Sequence, residues 1–293
     1  MMYLQNKKLF HAYIELTKPR ILSLVLVTTA LGFFLGGKGI HSFSKLFFTL
    51  LGAGLVCCGA SALNQYLERG PDGKMNRTKN RPIPKGIISA NAAMLFGIIL
   101  ILIGVLILAS EVNILTAFLS LLTAFLYVLV YTPLKKISWL NTSIGAIPGA
   151  IPPMGGWAAA CGELNVGAWV LFLVLFIWQH PHFYAIAWMF KEDYKKGGFQ
   201  MLPVIEPDGK NTFRQIAVFS ILLIPVAILP TMIGMSGWIY FWGALMLSVV
   251  LCVIGLGSAA SKSLNDARRL LKATVLYLPI LLVLIMIDVF SKS

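Results

Sequence analysis

The sequence is poor in charged residues, and acids are the scarcer kind. Asp, Glu, Lys and Arg together make up 12% of the 293 residues, and the acids number 11 against 24 Lys and Arg. With 58% hydrophobic residues, so few charges cannot cover the surface of a soluble domain. The composition therefore excludes a soluble globular protein and predicts an all-α polytopic membrane protein.

Cysteine is also scarce. The four cysteines fall in apolar segments without the spacing of metal ligands: Cys57, Cys58, Cys161 and Cys252. This favours packing roles over a disulfide framework or a metal site. A signal peptide is not expected, because the first 20 residues are too polar, and their spaced basic pairs do not resemble a transit peptide. We expect a protein of the bacterial plasma membrane.

Long apolar runs occupy most of the chain. Runs of about 17 to 25 residues are long enough to cross the hydrocarbon core as helices. Nine such segments can be marked, at 21–37, 46–66, 90–109, 112–131, 143–161, 166–189, 213–234, 238–257 and 271–290. The sequence thus predicts nine transmembrane helices.

Lysine and arginine are distributed unevenly among the loops. Alternate loops, beginning with the N-terminal leader, carry 21 of the 24 cations, and the other three are Lys38, Lys45 and Lys292. Because basic loops remain in the cytoplasm, we expect a cytoplasmic N-terminus and, with nine spans, an external C-terminus. The same alternation explains the net charge of +13 without nucleic acid as a partner.

Acids and cations are interleaved in residues 64–86, NQYLERGPDGKMNRTKNRPIPKG, which follow the second predicted helix. Asn64 and Glu68 are four residues apart and share a face of a helix, and Asp72 would continue that face if the helix persisted. A loop that serves only membrane topology needs cations but no acids at this spacing. The pattern favours an anion held through a divalent metal, as when Mg²⁺ bridges carboxylates and phosphate.

Prolines interrupt two of the predicted helices. We expect Gly70 and Pro71 to end or unwind the second helix, which would place Asp72 on the loop just beyond. The fifth helix contains GAIPGAIPPMGG at 145–156, which predicts a kinked helix. A kink that lines a cavity and a kink that only improves packing both fit this segment.

A second polar concentration lies in the sixth helix, as WQHPHF at 178–183, and continues into KEDYKKGG at 191–198. Polar groups near membrane depth are costly and usually functional or partnered. A lone histidine there would be structural, but two histidines with a glutamine, followed by acids and lysines, favour function. The basic loops after helices 2 and 6 suggest two four-helix halves, each presenting one loop to a shared pocket.

An apolar interior with a metal and cations at its mouth suits a substrate with a diphosphate head and a long hydrocarbon tail. The metal and cations would stabilise the charge on a departing diphosphate, which is prenyl transfer by ionisation. A transporter is the competing class. It would place ionisable groups and broken helices at the midplane, whereas nearly every charge here lies near a membrane face.

Six motifs, in order along the chain, are similar to those of the UbiA superfamily of intramembrane prenyltransferases. They are LTKPR at 16–20, the Asn64 motif through MNRTKNRP at 75–82, YTPLK at 131–135, IPGAIPP at 147–153, WQ at 178–179 with PHF at 181–183, and DY at 193–194 followed by MLPV at 201–204. The chain most resembles the branch that farnesylates heme. The resemblance implies nine helices around a central, lipid-open cavity, in one domain at 1–293.

The resemblance also implies a Mg²⁺-dependent enzyme that moves the farnesyl group of farnesyl diphosphate to the 2-vinyl group of protoheme (heme B). A hydroxyethylfarnesyl substituent and free diphosphate are the products. The implied surroundings are the lipid bilayer and, downstream, a heme A synthase or a terminal oxidase assembly. The alternative is a family member that prenylates an aromatic quinone precursor.

Matching positions carry the family's roles to this chain. The residues implied as catalytic groups at the Mg²⁺-diphosphate are Asn64, Glu68, Asp72 and Asp193. Of these, Glu68, Asp72 and Asp193 are implied as metal ligands. Those implied on the diphosphate oxygens are Arg77, Lys79, Arg81 and Lys195. Those implied at the heme are His182 and, ranked lower, His180.

In two places the chain departs from the family pattern. In the first motif, Glu68 stands where aspartate is usual, and Gly70 and Pro71 interrupt the run. In the second, Gly197 replaces a second acid four residues after Asp193, which fits the heme branch.

Overall fold

The computed structural model describes residues 2–291, and within this range the chain is helical without any strand. The α-helices are α1 (Met2–Leu16), α2 (Pro19–Gly36), α3 (Phe43–Lys74), α4 (Ala90–Glu111), α5 (Ile114–Phe125), α6 (Thr132–Leu134), α7 (Asn141–Cys161), α8 (Val166–Met189), α9 (Lys191–Lys196), α10 (Leu202–Ile205), α11 (Lys210–Ala227), α12 (Leu229–Met232), α13 (Trp238–Ser261) and α14 (Leu264–Phe290). A π-helical segment, Leu126–Tyr131, separates α5 from α6. Lys292, which the charge count assigned to the outer side, lies outside the described residues.

Eight helical stretches in the described part of the chain are long and apolar enough to cross a membrane. They are Pro19–Gly36, Phe43–Lys74, Ala90–Glu111, Ile114–Leu134, Val166–Met189, Lys210–Met232, Trp238–Ser261 and Leu264–Val289. They correspond to eight of the nine predicted spans and confirm an all-α, multi-pass membrane fold. The remaining predicted span, 143–161, forms the helix α7, which contains three prolines.

Helix α3 differs most from the sequence prediction. It runs for 32 residues with Pro71 inside it, so the expectation that Gly70 and Pro71 would break the helix is wrong. A proline removes one hydrogen bond and crowds the carbonyl four residues earlier. The turn after Pro71 is held by contacts from the following loop, since Thr78 Oγ1 donates to Asp72 O and Arg81 Nη1 donates to Asp72 Oδ2. Asp72 therefore stays on α3, one turn beyond Glu68 and on the same face.

Close contacts divide the described chain into two compact units. Unit 1 comprises the residues up to Glu163 together with Glu192–Gln200, and unit 2 comprises Leu164–Lys191 and the residues from Met201 onward. The two motif segments, 64–86 and 192–200, follow the second and sixth predicted helices, and both belong to unit 1. The expectation of one loop in each half is therefore wrong. The second segment is held in unit 1 by backbone hydrogen bonding, since Gln200 N donates to Lys135 O at 2.6 Å.

Glycines let the helices of unit 1 approach closely. Gly59 of α3 faces Gly97 of α4, and a Cβ added at Gly59 would lie 2.5 Å from the Gly97 carbonyl oxygen. Helices α2 and α7 meet in the same way, because a Cβ at Gly156 would overlap the carbonyl oxygen of Thr29. Such small-residue contacts bring backbones together without bulky side chains. The contact between Gly59 and Gly97 fixes α3, the helix that carries the first motif, against α4.

Unit 2 is built around α8, which packs against α11 and α14, and α13 packs against both of these. Buried polar contacts join its helices. The Tyr240 hydroxyl donates to Ala227 O at 2.9 Å, and Trp178 Nε1 donates to Thr274 O at 3.0 Å. These bonds connect α13 with α11, and α8 with α14.

Candidate active site

The C-terminal turns of α3 carry a row of buried polar side chains. Asn64, Glu68 and Asp72 are exposed by 1%, 4% and 0%. Their spacing of four residues places them on one face of the helix, as the sequence predicted for Asn64 and Glu68. Charged groups persist in such surroundings only when they are paired or hydrogen-bonded.

Each carboxylate of the row is paired with one cation. Lys135 Nζ lies 2.7 Å from Glu68 Oε1, and Arg81 Nη1 lies 2.7 Å from Asp72 Oδ2. The Lys135 ammonium also lies over the Tyr131 ring, 4.6 Å from its centroid. Burial alone would lower the pKa of Lys135, but the Glu68 carboxylate and then Tyr131 raise that pKa well above its usual range. The ammonium therefore remains charged beside Glu68.

Lys18, which lies between α1 and α2, is bound at the N-terminal end of the row. Its Nζ donates to Asn64 Oδ1 at 2.6 Å and to the Tyr127 hydroxyl at 3.1 Å. Asn64 Nδ2 in turn donates to Thr132 Oγ1 at 2.9 Å. Burial and the nearby Arg81 guanidinium lower the pKa of Lys18 to about 7. Lys18 thus orients the Asn64 amide, and its charge is lost more easily than that of Lys135.

The π-helical segment Leu126–Tyr131 brings two aromatic rings to this cluster. Tyr127 and Tyr131 stack with ring centroids 5.7 Å apart and an interplanar angle of 27°. The Thr132 hydroxyl donates to Tyr127 O, five residues earlier, at 2.8 Å. π-Helical turns are rare and are often found at functional sites. The sequence predicted a regular helix here, and Pro133, which lacks an N–H, was the one local sign of irregularity.

The second motif reaches the first through Arg77. Asp193 Oδ2 accepts a hydrogen bond from Arg77 N at 3.1 Å, and Arg77 Nη2 donates to the Tyr194 hydroxyl at 3.2 Å. The Arg77 guanidinium also lies 5.4 Å from the centroid of the Tyr194 ring. The structure therefore brings together Arg77 and Asp193, two site residues that the sequence places 116 positions apart.

Two predicted diphosphate ligands do not join the buried cluster. Lys79 is exposed, and its Nζ donates to Asn76 Oδ1 at 3.3 Å. Lys195 is exposed on α9. Long lysine side chains on a surface can reach a ligand without a fixed partner. Their role stays a prediction.

The two histidines both lie on α8, in unit 2, but in different surroundings. His180 is 0% exposed, its Nδ1 lies 2.7 Å from Phe176 O, and its ring stacks on Phe219 with centroids 3.7 Å apart. His182 is half-buried, and its Nδ1 lies 2.9 Å from Thr274 Oγ1. The fully packed ring of His180 is typical of a structural histidine. This favours His182 over His180 for the role at the heme that the sequence implies.

Comparison with known proteins identifies the family. The pattern of the UbiA prenyltransferase family matches residues 25–281. The chain belongs to this family. Proteins named protoheme IX farnesyltransferase are similar to this chain over nearly its whole length. The protein of that name from Solibacter usitatus is 46% identical over 94% of this chain and 98% of its own length. That of Salinibacter ruber is 42% identical over 95% and 98%.

Solved structures agree with the UbiA assignment at the level of the fold. A digeranylgeranylglyceryl phosphate synthase superposes with a TM-score of 0.81 at 18% identity, covering 97% of this chain and 99% of the other. A UbiA homolog from Archaeoglobus fulgidus, bound to DMAPP and Mg²⁺, superposes with a TM-score of 0.67 at 17% identity, covering 94% and 99%.

Sequence reasoning assigned no role to several residues of this UbiA site, namely Lys18, Tyr127, Tyr131, Thr132 and Lys135. The motifs LTKPR at 16–20 and YTPLK at 131–135 contain four of them and were the available signal. Their pairing with the Asn64 row could not be read from spacing, because Lys135 and Glu68 are 67 positions apart.

The donor set of the site fits a divalent cation shared with a ligand. Within residues 2–291, no three His, Cys, Asp or Glu side chains form a group that could hold a metal by themselves. Mg²⁺ commonly binds through one or two carboxylates and completes its shell with phosphate oxygens and water. Glu68 and Asp72 supply two carboxylates, and Asp72 Oδ1 is buried without a hydrogen-bond partner among the described residues. That acceptor is available to a cation.

Proposed function

We propose that this chain is a Mg²⁺-dependent protoheme IX farnesyltransferase. It transfers the farnesyl group of farnesyl diphosphate to the 2-vinyl group of heme B and yields heme O and diphosphate. The observation that carries the proposal is the full-length similarity to relatives of that name, at 42–46% identity for the two named above. The paired carboxylates and cations of unit 1 supply the chemistry that the reaction requires.

The donor half of the reaction uses the row on α3 and its cations. Glu68, Asp72 and Asp193 would hold the metal, and Asn64 would lie at its diphosphate. Asp193 also accepts a hydrogen bond from Arg77 N. Mg²⁺ supplies positive charge that stabilises the leaving diphosphate. Arg77, Arg81 and Lys135 offer further charge-assisted hydrogen bonds to its oxygens, and Lys79 and Lys195 reach it from the surface.

The acceptor half follows from the balance of bonds. The bond between farnesyl C1 and the diphosphate oxygen breaks, and its electron pair leaves with diphosphate. The terminal vinyl carbon of protoheme forms the new bond to C1, which leaves positive charge on the carbon next to the porphyrin ring. Water adds to that carbon and loses a proton, which gives the hydroxyethylfarnesyl group. We assign heme contact to His182 rather than to the packed His180.

The same proposal extends to location and partners. The chain works as a single domain in the bacterial plasma membrane, with the N-terminus and both motif segments on the cytoplasmic side and the C-terminus outside. The partition of 21 against 3 cations supports this orientation. Its product is taken up by a heme A synthase or a terminal oxidase assembly.

Pigment extraction from cells tests the proposal. The chain is expressed in bacteria that lack a heme farnesyltransferase of their own. The hemes are then extracted and separated, and their masses are measured by mass spectrometry. Heme with a farnesyl tail in cells with the wild-type chain, and its absence in cells with Asp72→Asn, is expected. Prenylated quinone precursors with unchanged heme would instead support the alternative acceptor.

A further inference from the structure

A second polar cluster lies within unit 2 and consists of Trp178, His182 and Thr274. His182 Nδ1 lies 2.9 Å from Thr274 Oγ1, and Trp178 Nε1 donates to the carbonyl oxygen of Thr274 at 3.0 Å. Thr274 is 0% exposed and Trp178 is 5% exposed, whereas His182 is half-buried. One threonine of α14 therefore binds two side chains of α8.

The direction of these hydrogen bonds determines where the His182 proton lies. The Thr274 hydroxyl donates its single hydrogen to Leu271 O at 2.7 Å. Its oxygen must then accept from His182, which requires a proton on Nδ1 of the imidazole. Within residues 2–291, His182 forms no second side-chain hydrogen bond. In the neutral imidazole, Nε2 is left with its lone pair.

The plane of the His182 ring is held as well. The rings of Trp178 and His182 stack with centroids 5.4 Å apart and an interplanar angle of 23°. Trp178 is itself fixed by its hydrogen bond to Thr274 O. A ring with a defined plane and a defined tautomer is the arrangement of a metal-binding histidine, whose other ring nitrogen donates to a protein acceptor.

We propose that Thr274 is a positioning residue that holds His182 as the Nδ1–H tautomer, so that Nε2 binds the iron of the porphyrin substrate. The choice of heme as the ligand rests on the function proposed above. The position of the proton rests on the hydrogen bonds of unit 2 alone. His180 also donates from Nδ1, to Phe176 O, but its ring is 0% exposed and stacks on Phe219 with centroids 3.7 Å apart. This packing, and not the tautomer, sets His180 apart from the half-buried His182.

Ring-nitrogen NMR of protein labelled with ¹⁵N-histidine, in detergent and without heme, tests the tautomer. The chain has four histidines, and His182→Ala identifies the signals of His182. We expect a neutral Nδ1–H imidazole in the wild type, a mixture of tautomers in Thr274→Val, and the wild-type signals in Thr274→Ser. A wild-type His182 with its proton on Nε2 would overturn the proposal, even if Thr274→Val fails to insert.

Heme titration tests the consequence. Outer-shell partners of metal-binding histidines typically contribute about 10- to 100-fold in affinity, so Thr274→Val should weaken heme binding about tenfold, as followed by the Soret band. Thr274→Ser should restore both affinity and band position, and His182→Ala should abolish the ligation spectrum. Ser248→Ala is the matched control, because it removes a buried hydroxyl of α13 that contacts Tyr277 at 2.8 Å. Tyr277 lies on α14, the helix that also carries Thr274. Wild-type heme affinity in Thr274→Val would overturn the positioning role.

The two proposals fail in different ways. If the wild type binds heme through His182 but makes no farnesylated heme, the proposed function fails and the positioning role of Thr274 stands. If the wild type makes heme O while Thr274→Val keeps the wild-type tautomer and affinity, the function stands and the role of Thr274 is wrong.

Discussion

Lys135 and Glu68 form a buried ion pair that joins the residue after α6 to the motif helix α3. The Nζ and Oε1 atoms are 2.7 Å apart, and the side chains are 13% and 6% exposed. Removal of two charges from water is costly unless each keeps its partner. The pair fixes the position of α3 against the segment after the π-helical turn. It also holds a cation next to Glu68.

Replacement of Lys135 by Gln should destabilise the protein and reduce turnover. A buried pair that loses one partner leaves an uncompensated charge, which costs about 3–5 kcal/mol. Thermal inactivation in detergent measures the stability, and diphosphate release measures the rate. The matched control is Lys136→Gln, which changes the adjacent exposed lysine and should alter neither quantity.

The double variant Lys135→Met with Glu68→Gln separates stability from chemistry. Loss of both charges should recover much of the stability lost in the single variants, because no unpaired charge remains. Turnover should stay low, since the metal has lost a ligand and the diphosphate a cation. Recovery of turnover together with stability would mean that the pair is structural alone.

Asp72→Asn and Glu68→Gln should each lower the turnover rate about 100-fold or more, while the protein still inserts. Each change removes a charge that holds Mg²⁺ against the leaving diphosphate, and single electrostatic stabilisers act on that scale. Asp208→Asn, at an exposed aspartate outside the spans, serves as the control and should retain full activity. Full activity in Asp72→Asn would remove this residue from the site.

The site was predictable where it depends on local spacing and was not where it depends on tertiary contacts. Residues Asn64 and Glu68 share a helix face by geometry alone. The continuation of α3 to Asp72 was missed because Asp72 is held by Arg81 and Thr78 from the following loop. Such contacts leave no periodic signal.

The architecture follows the same division. The lengths of the apolar segments and the positions of the basic loops predicted the all-α membrane fold. Both are local signals, because the thickness of the bilayer's hydrocarbon core and the charge of its head groups act on each segment separately. The π-helical turn at Leu126–Tyr131 and the packing of Glu192–Gln200 into unit 1 depend on partners far along the chain. No pattern within those segments specifies either feature.

Gly70→Ala and Pro71→Ala should both be tolerated, because α3 is already helical through these positions. A Cβ at Gly70 meets nothing within 4 Å. At an exposed helix position, alanine is more stabilising than glycine by about 1 kcal/mol. We expect unchanged turnover and equal or higher thermal stability. Gly156→Ala is the contrasting control, since its Cβ would overlap Thr29 O and should impair folding. Loss of activity in Pro71→Ala would show that a break in α3 is required.

Cysteine labelling should locate both motif segments in the cytoplasm. Cysteines introduced at the exposed positions Lys79 and Lys196, in a variant whose four native cysteines are replaced, should react in intact cells only with membrane-permeant reagents. A second variant that keeps Cys161 alone gives the opposite control, because Cys161 is exposed at the end of α7 and the predicted topology places it outside. Reaction of either introduced cysteine with an impermeant reagent from outside would contradict the proposed orientation.

The most direct measurement is turnover by the purified protein in detergent with farnesyl diphosphate, heme B and Mg²⁺. We expect one product, heme whose mass has increased by a farnesyl group and a hydroxyl group, with one diphosphate released per heme. We also expect Asp72→Asn to lower both rates about 100-fold or more, and removal of Mg²⁺ by a chelator to stop both. Diphosphate release with unmodified heme, or farnesylated heme formed equally well by Asp72→Asn, would contradict the proposed function.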